Sequence, residues 1–164
     1  MTDSRTNDGF LESMLIGVIS DTHGLLRPEA LAALRGVEHI LHAGDVGDVA
    51  ILDALRKIAP VTAIRGNVDT HACARLPATD VVELGGKLFY LVHSVHDLDI
   101  DPVVAGVAMV VSGHSHKASV SVKGDVVFFN PGSAGPRRFS LPVTVGFVTV
   151  EDGVEASVME LAVA

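Results

Sequence analysis

A single cysteine, Cys73, is all that this 164-residue chain offers for cross-linking. No internal disulfide framework can form, and a reducing, cytoplasmic setting is expected. Cations are scarce too: 12 Lys and Arg stand against 20 Asp and Glu, leaving a formal charge of −8. They form neither a cluster nor an amphipathic stripe, so no long nucleic acid is expected as a partner. The longest apolar stretch, Val103–Val111, is far too short to span a bilayer, and no membrane association is expected. The N-terminus lacks a basic region followed by an apolar run and a small-residue cleavage site, which argues against secretion. No internal repeat or low-complexity tract is visible.

What the chain does have is apolar mass, at 48% hydrophobic and 20% charged residues. That suffices for a sizeable core, and the length fits one compact domain over residues 14–164. Residues 1–13, polar and mixed in charge, read as a flexible leader. A homo-oligomer is compatible with this size class, although no exposed stripe marks an interface.

Hydrophobic periodicity divides the chain in two. Met14–Ser20 is a short apolar, β-branched run ending abruptly in polar residues, the pattern of a strand buried on both faces. Pro28 then opens a helix that stops at Gly36, since proline suits the first helical position. His39–His42 is a second strand, Val49–Ile58 a second helix closed by Pro60, and Val61–Ile64 a third strand. Three such βα steps imply parallel pairing with right-handed crossovers. After Pro77 the texture changes. Val81–Leu84 and Lys87–Val92 flank Gly85-Gly86 as a hairpin, and five more strands follow: Ala108–Ser112, Ala118–Val122, Val126–Phe129, Val143–Val150 and Val154–Leu161. The expected architecture is α/β, with two facing mixed sheets flanked by helices in an α-β-β-α sandwich.

On this map the polar residues fall in one place. Asp21 and His23 follow the first strand, Asp45 the second and Asn67 the third, while His93 closes the hairpin and His114 and His116 follow the next strand. In open α/β sheets the carboxyl ends of strands form the ligand-binding crevice. Residues two apart in extended chain point the same way, so each close pair can aim at one point. A mixture of carboxylate, imidazole and amide oxygen without thiolate suits Mn²⁺, Fe²⁺, Co²⁺, Ni²⁺ or Zn²⁺ in a reactive rather than structural site. Two such ions sharing one carboxylate could clamp phosphoryl oxygens about a bridging hydroxide, a geometry that serves hydrolysis.

Asp21-Thr22-His23, Gly44-Asp45, Gly66-Asn67-Val68-Asp69, His93 and Gly113-His114-Ser115-His116 resemble the ordered motifs of the calcineurin-like metallophosphoesterases. Asn130-Pro131-Gly132-Ser133 with Pro136-Arg137 is similar to the late motif of the small YfcE-type branch. The likeness runs from about Leu15 to Val150. It implies two divalent cations, manganese foremost with Fe, Ni, Co or Zn as alternatives. Asp21, His23 and His116 match the ligands of one, and Asn67, His93 and His114 those of the other. Asp45 matches the bridge, and Asp45, Asn67 and His93 are the expected catalytic residues. The implied reaction is in-line attack of a metal-bridging hydroxide on a small phosphodiester.

The chain departs from the family pattern in three ways. Val68 stands where many relatives carry a His thought to assist the leaving group, which leans toward diesters over demanding monoesters. In His93-Ser94-Val95-His96 the second His is displaced by one residue from the usual His-Gly-His. No Arg follows Gly-Asp at Asp48, so Arg65 or Arg137 is the expected phosphate contact. A phosphomonoesterase is the alternative enzyme. The alternative outside catalysis is a protein-interaction scaffold of the retromer-subunit type, in which these ligands are partly eroded.

Overall fold

The computed structural model describes residues 13–163, so the expected leader over 1–13 lies outside the described residues except for Ser13. Two five-stranded sheets carry the fold. The first is built from β1 (Met14–Ile19), β2 (His39–His42), β3 (Val61–Ala63), β9 (Thr144–Val150) and β10 (Val154–Glu160), in the order β10-β9-β1-β2-β3. As expected from the βα steps, β1 pairs parallel with β2 and β2 with β3, whereas β9 runs antiparallel to both its neighbours. The second sheet contains β4 (Thr79–Leu84), β5 (Lys87–Val92), β6 (Val107–Val111), β7 (Ser119–Lys123) and β8 (Val126–Asn130), in the order β4-β5-β6-β8-β7. The hairpin at Gly85-Gly86 is the β4–β5 connection.

Alternation along β1 explains how the layers stack. Ile16 and Val18 face inward with Leu41, Ile64, Val148 and Val150, and meet Phe89, Leu91, Met109, Val111 and Phe129 of the second sheet. Phe89 and Phe129 are fully buried, each contributing about 2–3 kcal/mol from lost apolar surface. Leu15 and Ile19 face the other way, onto α1 (Pro28–Ala33) and α2 (Val49–Arg56). Between them, Gly17 lets α1 close on the sheet, because a Cβ there would stand 2.6 Å from Leu34 Cδ2. Pro28 opens α1, and the Asp48 side chain caps α2 by accepting from the Ala50 N–H at 2.9 Å.

The expected fold class holds. Its outermost layer on the second sheet is thin: Tyr90, Val92 and Val110 are covered by Leu98 and Ile100 of the loop after β5 rather than by an α-helix. Two short 3-10 turns, His71–Arg75 and Val95–Asp97, had no signal in the hydrophobic pattern. Among the described residues no helix is long and apolar enough to cross a membrane.

Candidate metal centre

The strand ends bring the candidate residues to one edge. The loops after β1 and β2 are laced by the Asp21 N–H to Gly44 O, the His23 N–H to Asp45 O and the Gly24 N–H to Val46 O. The Gly113 N–H donates to His93 O, and the Ala134 N–H to Ser20 O. Tight reversals at these loops force unusual backbone: Asp21, His23, Asp45, His114 and His116 have φ of 57°, 47°, 54°, 73° and 64°. Left-handed conformation is unfavourable for residues with a Cβ, and its concentration here marks a place where geometry is held at some cost.

Each central carboxylate divides its oxygens between two tasks. Asp21 Oδ2 accepts from Ser20 Oγ at 2.7 Å and from the His114 N–H at 3.0 Å. Its Oδ1 has no hydrogen-bond partner and faces the Nε2 atoms of His116 at 3.4 Å, His23 at 3.7 Å and His93 at 3.8 Å. Asp45 Oδ1 accepts from the Val68 N–H at 3.1 Å, while its Oδ2 faces His93 Nε2 at 3.1 Å and His23 Nε2 at 3.7 Å. The short His93 approach lacks the alignment of a hydrogen bond, which leaves its Nε2 unsatisfied. His93 Nδ1 lies 2.7 Å from Ala43 O. A carbonyl only accepts, so Nδ1 carries the proton and Nε2 presents its lone pair to the carboxylates.

Buried polar atoms without partners are expensive, so the free Asp21 Oδ1 and His93 Nε2 call for a ligand. Among the described residues two groups have the spacing to hold a cation, Asp21 with His23 and His116, and Asp21 with Asp45 and His93. Asp21 therefore belongs to both. The electrostatics agree with a site awaiting positive charge. Burial pushes the Asp21 carboxyl up, but pairing with His23, the Ser20 hydrogen bond and the charges of His93 and His116 outweigh it and bring it below its ordinary value. For Asp45, burial is likewise overcome, by His93 and the Val68 N–H. The Asp21 pairing raises His23. His93 is raised against its burial by Asp45 and Ala43, whereas burial prevails at His116 and lowers it.

A ring of supporting bonds fixes this arrangement, supplied by Asp69 of the third motif, by His42 at the end of β2 and by the Asn130–Ser133 turn. Asp69 accepts from the N–H groups of Val46, Gly47 and Gly66 at 3.2, 2.9 and 2.8 Å, clipping the Asp45 loop to the Asn67 loop. The wholly buried His42 accepts from the Gly44 N–H at 3.1 Å through Nδ1. Its Nε2 then donates to Thr22 Oγ1 at 3.0 Å, and that hydroxyl donates to Val46 O. Asn130 Nδ2 donates to Gly113 O and Ser115 Oγ, and Ser133 Oγ donates to Asp21 O, so the late Asn-Pro-Gly-Ser turn braces the His114–His116 loop. Asp69 lies close in sequence to Asn67 and His42 to Asp45, but chain spacing says nothing about which loop each side chain reaches.

The remaining expected residues distribute unevenly. Asn67 and His114 line, with His93, a cavity of about 600 Å³. His114 meets the His93 ring edge-on at 5.3 Å between centroids. Arg65 lines the same cavity, but its Nη1 donates to Leu76 O at 2.7 Å. Arg137 is directed to Leu141 O at 3.5 Å rather than to the cluster. The charge of Arg138 opposes protonation of both His23 and His116, although the Asp21 pairing keeps His23 raised. Val68 is 52% exposed, and its contribution to the cluster is its backbone N–H.

A probable metallophosphoesterase of Methanothermobacter thermautotrophicus is 37% identical over 141 residues, covering 79% of this chain and 82% of that protein. A phosphodiesterase of Methanocaldococcus jannaschii is 25% identical over 158 residues, covering 84% and 94%. Among solved structures, a novel archaeal phosphodiesterase superposes with TM-score 0.70 at 23% identity, over 89% of this chain and 100% of that one. Vacuolar protein sorting 29 of Cryptosporidium parvum does so with TM-score 0.73 at 18% identity, over 91% and 98%. Both structures speak to the fold alone. Residues 14–153, which span every loop of the cluster, match the calcineurin-like phosphoesterase superfamily domain, and the chain belongs to that family.

Proposed function

We propose that the protein is a two-metal phosphodiesterase acting on small phosphodiesters. The observation that carries this reading is the pair of buried carboxylates, each spending one oxygen on a backbone N–H and turning the other toward imidazole Nε2 atoms, of which that of His93 has no hydrogen-bond partner. The donor set fits divalent cations such as manganese. Asp21, His23 and His116 would hold one ion and Asn67, His93 and His114 the other, with Asp45 shared. The close approach of Asp21 Oδ1 to both groups makes it a further shared candidate. Bound there, the cations would supply Lewis-acid stabilisation of phosphoryl charge and an acidified water.

The protein's own contribution is positional. Hydrogen bonds from the His114 and Val68 N–H groups orient the two carboxylates. Ala43 O sets the tautomer of His93, so its Nε2 is a ready acceptor. Asn67 and His114 border the cavity through which a substrate would enter. With valine at position 68, no imidazole stands there to protonate a departing alkoxide, which favours diesters with good leaving groups over demanding monoesters. The phosphodiesterase among the relatives supports the same preference. A pure interaction scaffold gains nothing from unsatisfied buried polar atoms.

The test is direct. Protein stripped with chelator and reloaded with Mn²⁺, Co²⁺, Ni²⁺ or Zn²⁺ should bind two ions per chain. It should hydrolyse bis(p-nitrophenyl) phosphate faster than p-nitrophenyl phosphate. Faster monoester turnover assigns it as a phosphomonoesterase, and metal binding without any turnover removes the enzymatic reading.

A further inference from the structure

Two cavities meet at the cluster, and both are lined by Ser94 and His114. The larger, of about 600 Å³, reaches the buried His93, whose Nε2 lacks a partner, and also has Arg65, Asp97 and Asp99 on its walls. The smaller, of about 260 Å³, is bordered by Ser119, Ser121 and Lys123 of β7 and by Phe128 of β8. The short turn after β5 stands between them: Ser94 and Asp97 face the larger, Val95 and His96 the smaller.

The two cavities differ in charge. In the larger, Asp99 Oδ1 accepts from Tyr90 OH at 3.3 Å, which steadies one carboxylate. Its one lining cation, Arg65, has Nη1 engaged by Leu76 O. The smaller has no carboxylate among its lining residues, and Lys123 Nζ lies 5.7 Å above the Phe128 ring. A phosphodiester has two alcohol arms diverging from phosphorus, and two unlike cavities sharing His114 can seat one each. Carboxylates lining a cleft raise the local concentration of cationic groups and repel anionic ones.

Resting on the phosphodiesterase reading, we infer that the larger cleft is the subsite for one arm of the diester and selects an arm bearing an ammonium group. Asp97 and Asp99 are its specificity residues, and the other arm occupies the smaller cavity, whose lining cation is Lys123. A second phosphate or a carboxylate on the first arm is disfavoured by the same two residues.

The experiment compares p-nitrophenyl phosphorylcholine with p-nitrophenyl ethyl phosphate on the metal-loaded protein, and titrates choline into the metal-free protein by NMR. The choline ester should exceed the ethyl ester in kcat/KM by about tenfold, chiefly through KM. The Asp97→Asn/Asp99→Asn variant should bring that ratio to within about twofold. Choline should shift the backbone amides of Asp97–Asp99 in the native protein and not in the variant. A ratio near one in the native protein, a ratio that survives the double substitution, or an absence of choline-induced shifts overturns the inference. Failure to turn over any diester, with the choline shifts intact, sinks the phosphodiesterase reading and leaves the cationic cleft standing.

Discussion

Asp45 Oδ2 and His93 Nε2 are held 3.1 Å apart at the bottom of the cluster, with no hydrogen bond to satisfy the nitrogen. That juxtaposition makes Asp45→Asn the most informative single change. Asparagine tolerates the left-handed backbone found at position 45 but takes the negative charge away from a shared metal position. Metal affinity and diester turnover should each fall by at least about a hundredfold, since even losing a group that only orients a metal ligand reaches that size. The circular dichroism spectrum should be unchanged. Activity that survives the substitution removes Asp45 from the bridging role.

Protons and metal compete for the same imidazoles. His23 and His93 are both raised above the ordinary imidazole value, 6.5. In the metal-free protein their protonation stabilises the fold fully below that value, and this contribution is lost as pH rises through the raised values. Metal needs the neutral rings, so its affinity should strengthen over that same rise, with protons released on binding. Calorimetric titration of Mn²⁺ at about pH 6 and about pH 8, in buffers of unlike ionisation enthalpy, reads both quantities. Equal affinity at the two pH values would contradict the assignment of these rings as ligands.

His42 behaves in the opposite sense. Its complete burial lowers it to about 4, against the ordinary 6.5. The neutral ring's contribution to stability is present above 6.5 and is lost progressively as pH falls toward 4. The full loss is about 3 kcal/mol. Denaturant unfolding of the metal-free protein should show it across that window, and His42→Gln should flatten this part of the acid profile. An NMR titration placing the His42 ring near the ordinary value would refute the account.

Asp69 holds three N–H groups from two loops. Asp69→Ala leaves them without their acceptor, and global stability should fall by about 2 kcal/mol. Hydrogen exchange should speed up at Val46, Gly47 and Gly66 before it does in the strands. Unaltered exchange at those three amides would show that the clip has no independent role.

Gly66 sits where a side chain would run into Asp45. A Cβ there overlaps Asp45 Oδ1 and lies 2.6 Å from Asp45 Cγ. Gly66→Ala should therefore lower activity by displacing the carboxylate, with a smaller effect on melting temperature than on turnover. A variant with native metal affinity and native turnover would mean that the Asp45 loop can yield without consequence.

Much of this was legible in the sequence because it depends on local pattern. Met14–Ile19 is short, continuously apolar and abruptly ended, and His39–His42 has an apolar centre between two histidines, so both strands and their parallel pairing could be read. The ligand loops were legible for the same reason: Asp21, Asp45 and Asn67 each follow such an ending. Strands of the second sheet were placed to within a residue or two, as with Ala108–Ser112 expected and Val107–Val111 found. Contacts that depend on where one loop lies against another were not legible. The reach of Asp69 to Val46 spans 23 residues, and nothing in either segment names the other. Arg137, expected beside the substrate, directs its guanidinium to Leu141 O, and the charge of its neighbour Arg138 is felt at His23.

The left-handed backbone at Asp21, His23, Asp45, His114 and His116 also limits what evolution can do with these positions. Each must satisfy two filters, one of chemistry and one of conformation, and only a few side chains, chiefly Asn, Asp and His, are common in that region besides glycine. A descendant that lost its metal would still be confined to that short alphabet. Residues of ligand-like type at these positions would then outlast catalysis as a fossil of the loop geometry, so inheritance of the motifs and inheritance of the activity are separable, and only metal binding and turnover tell them apart.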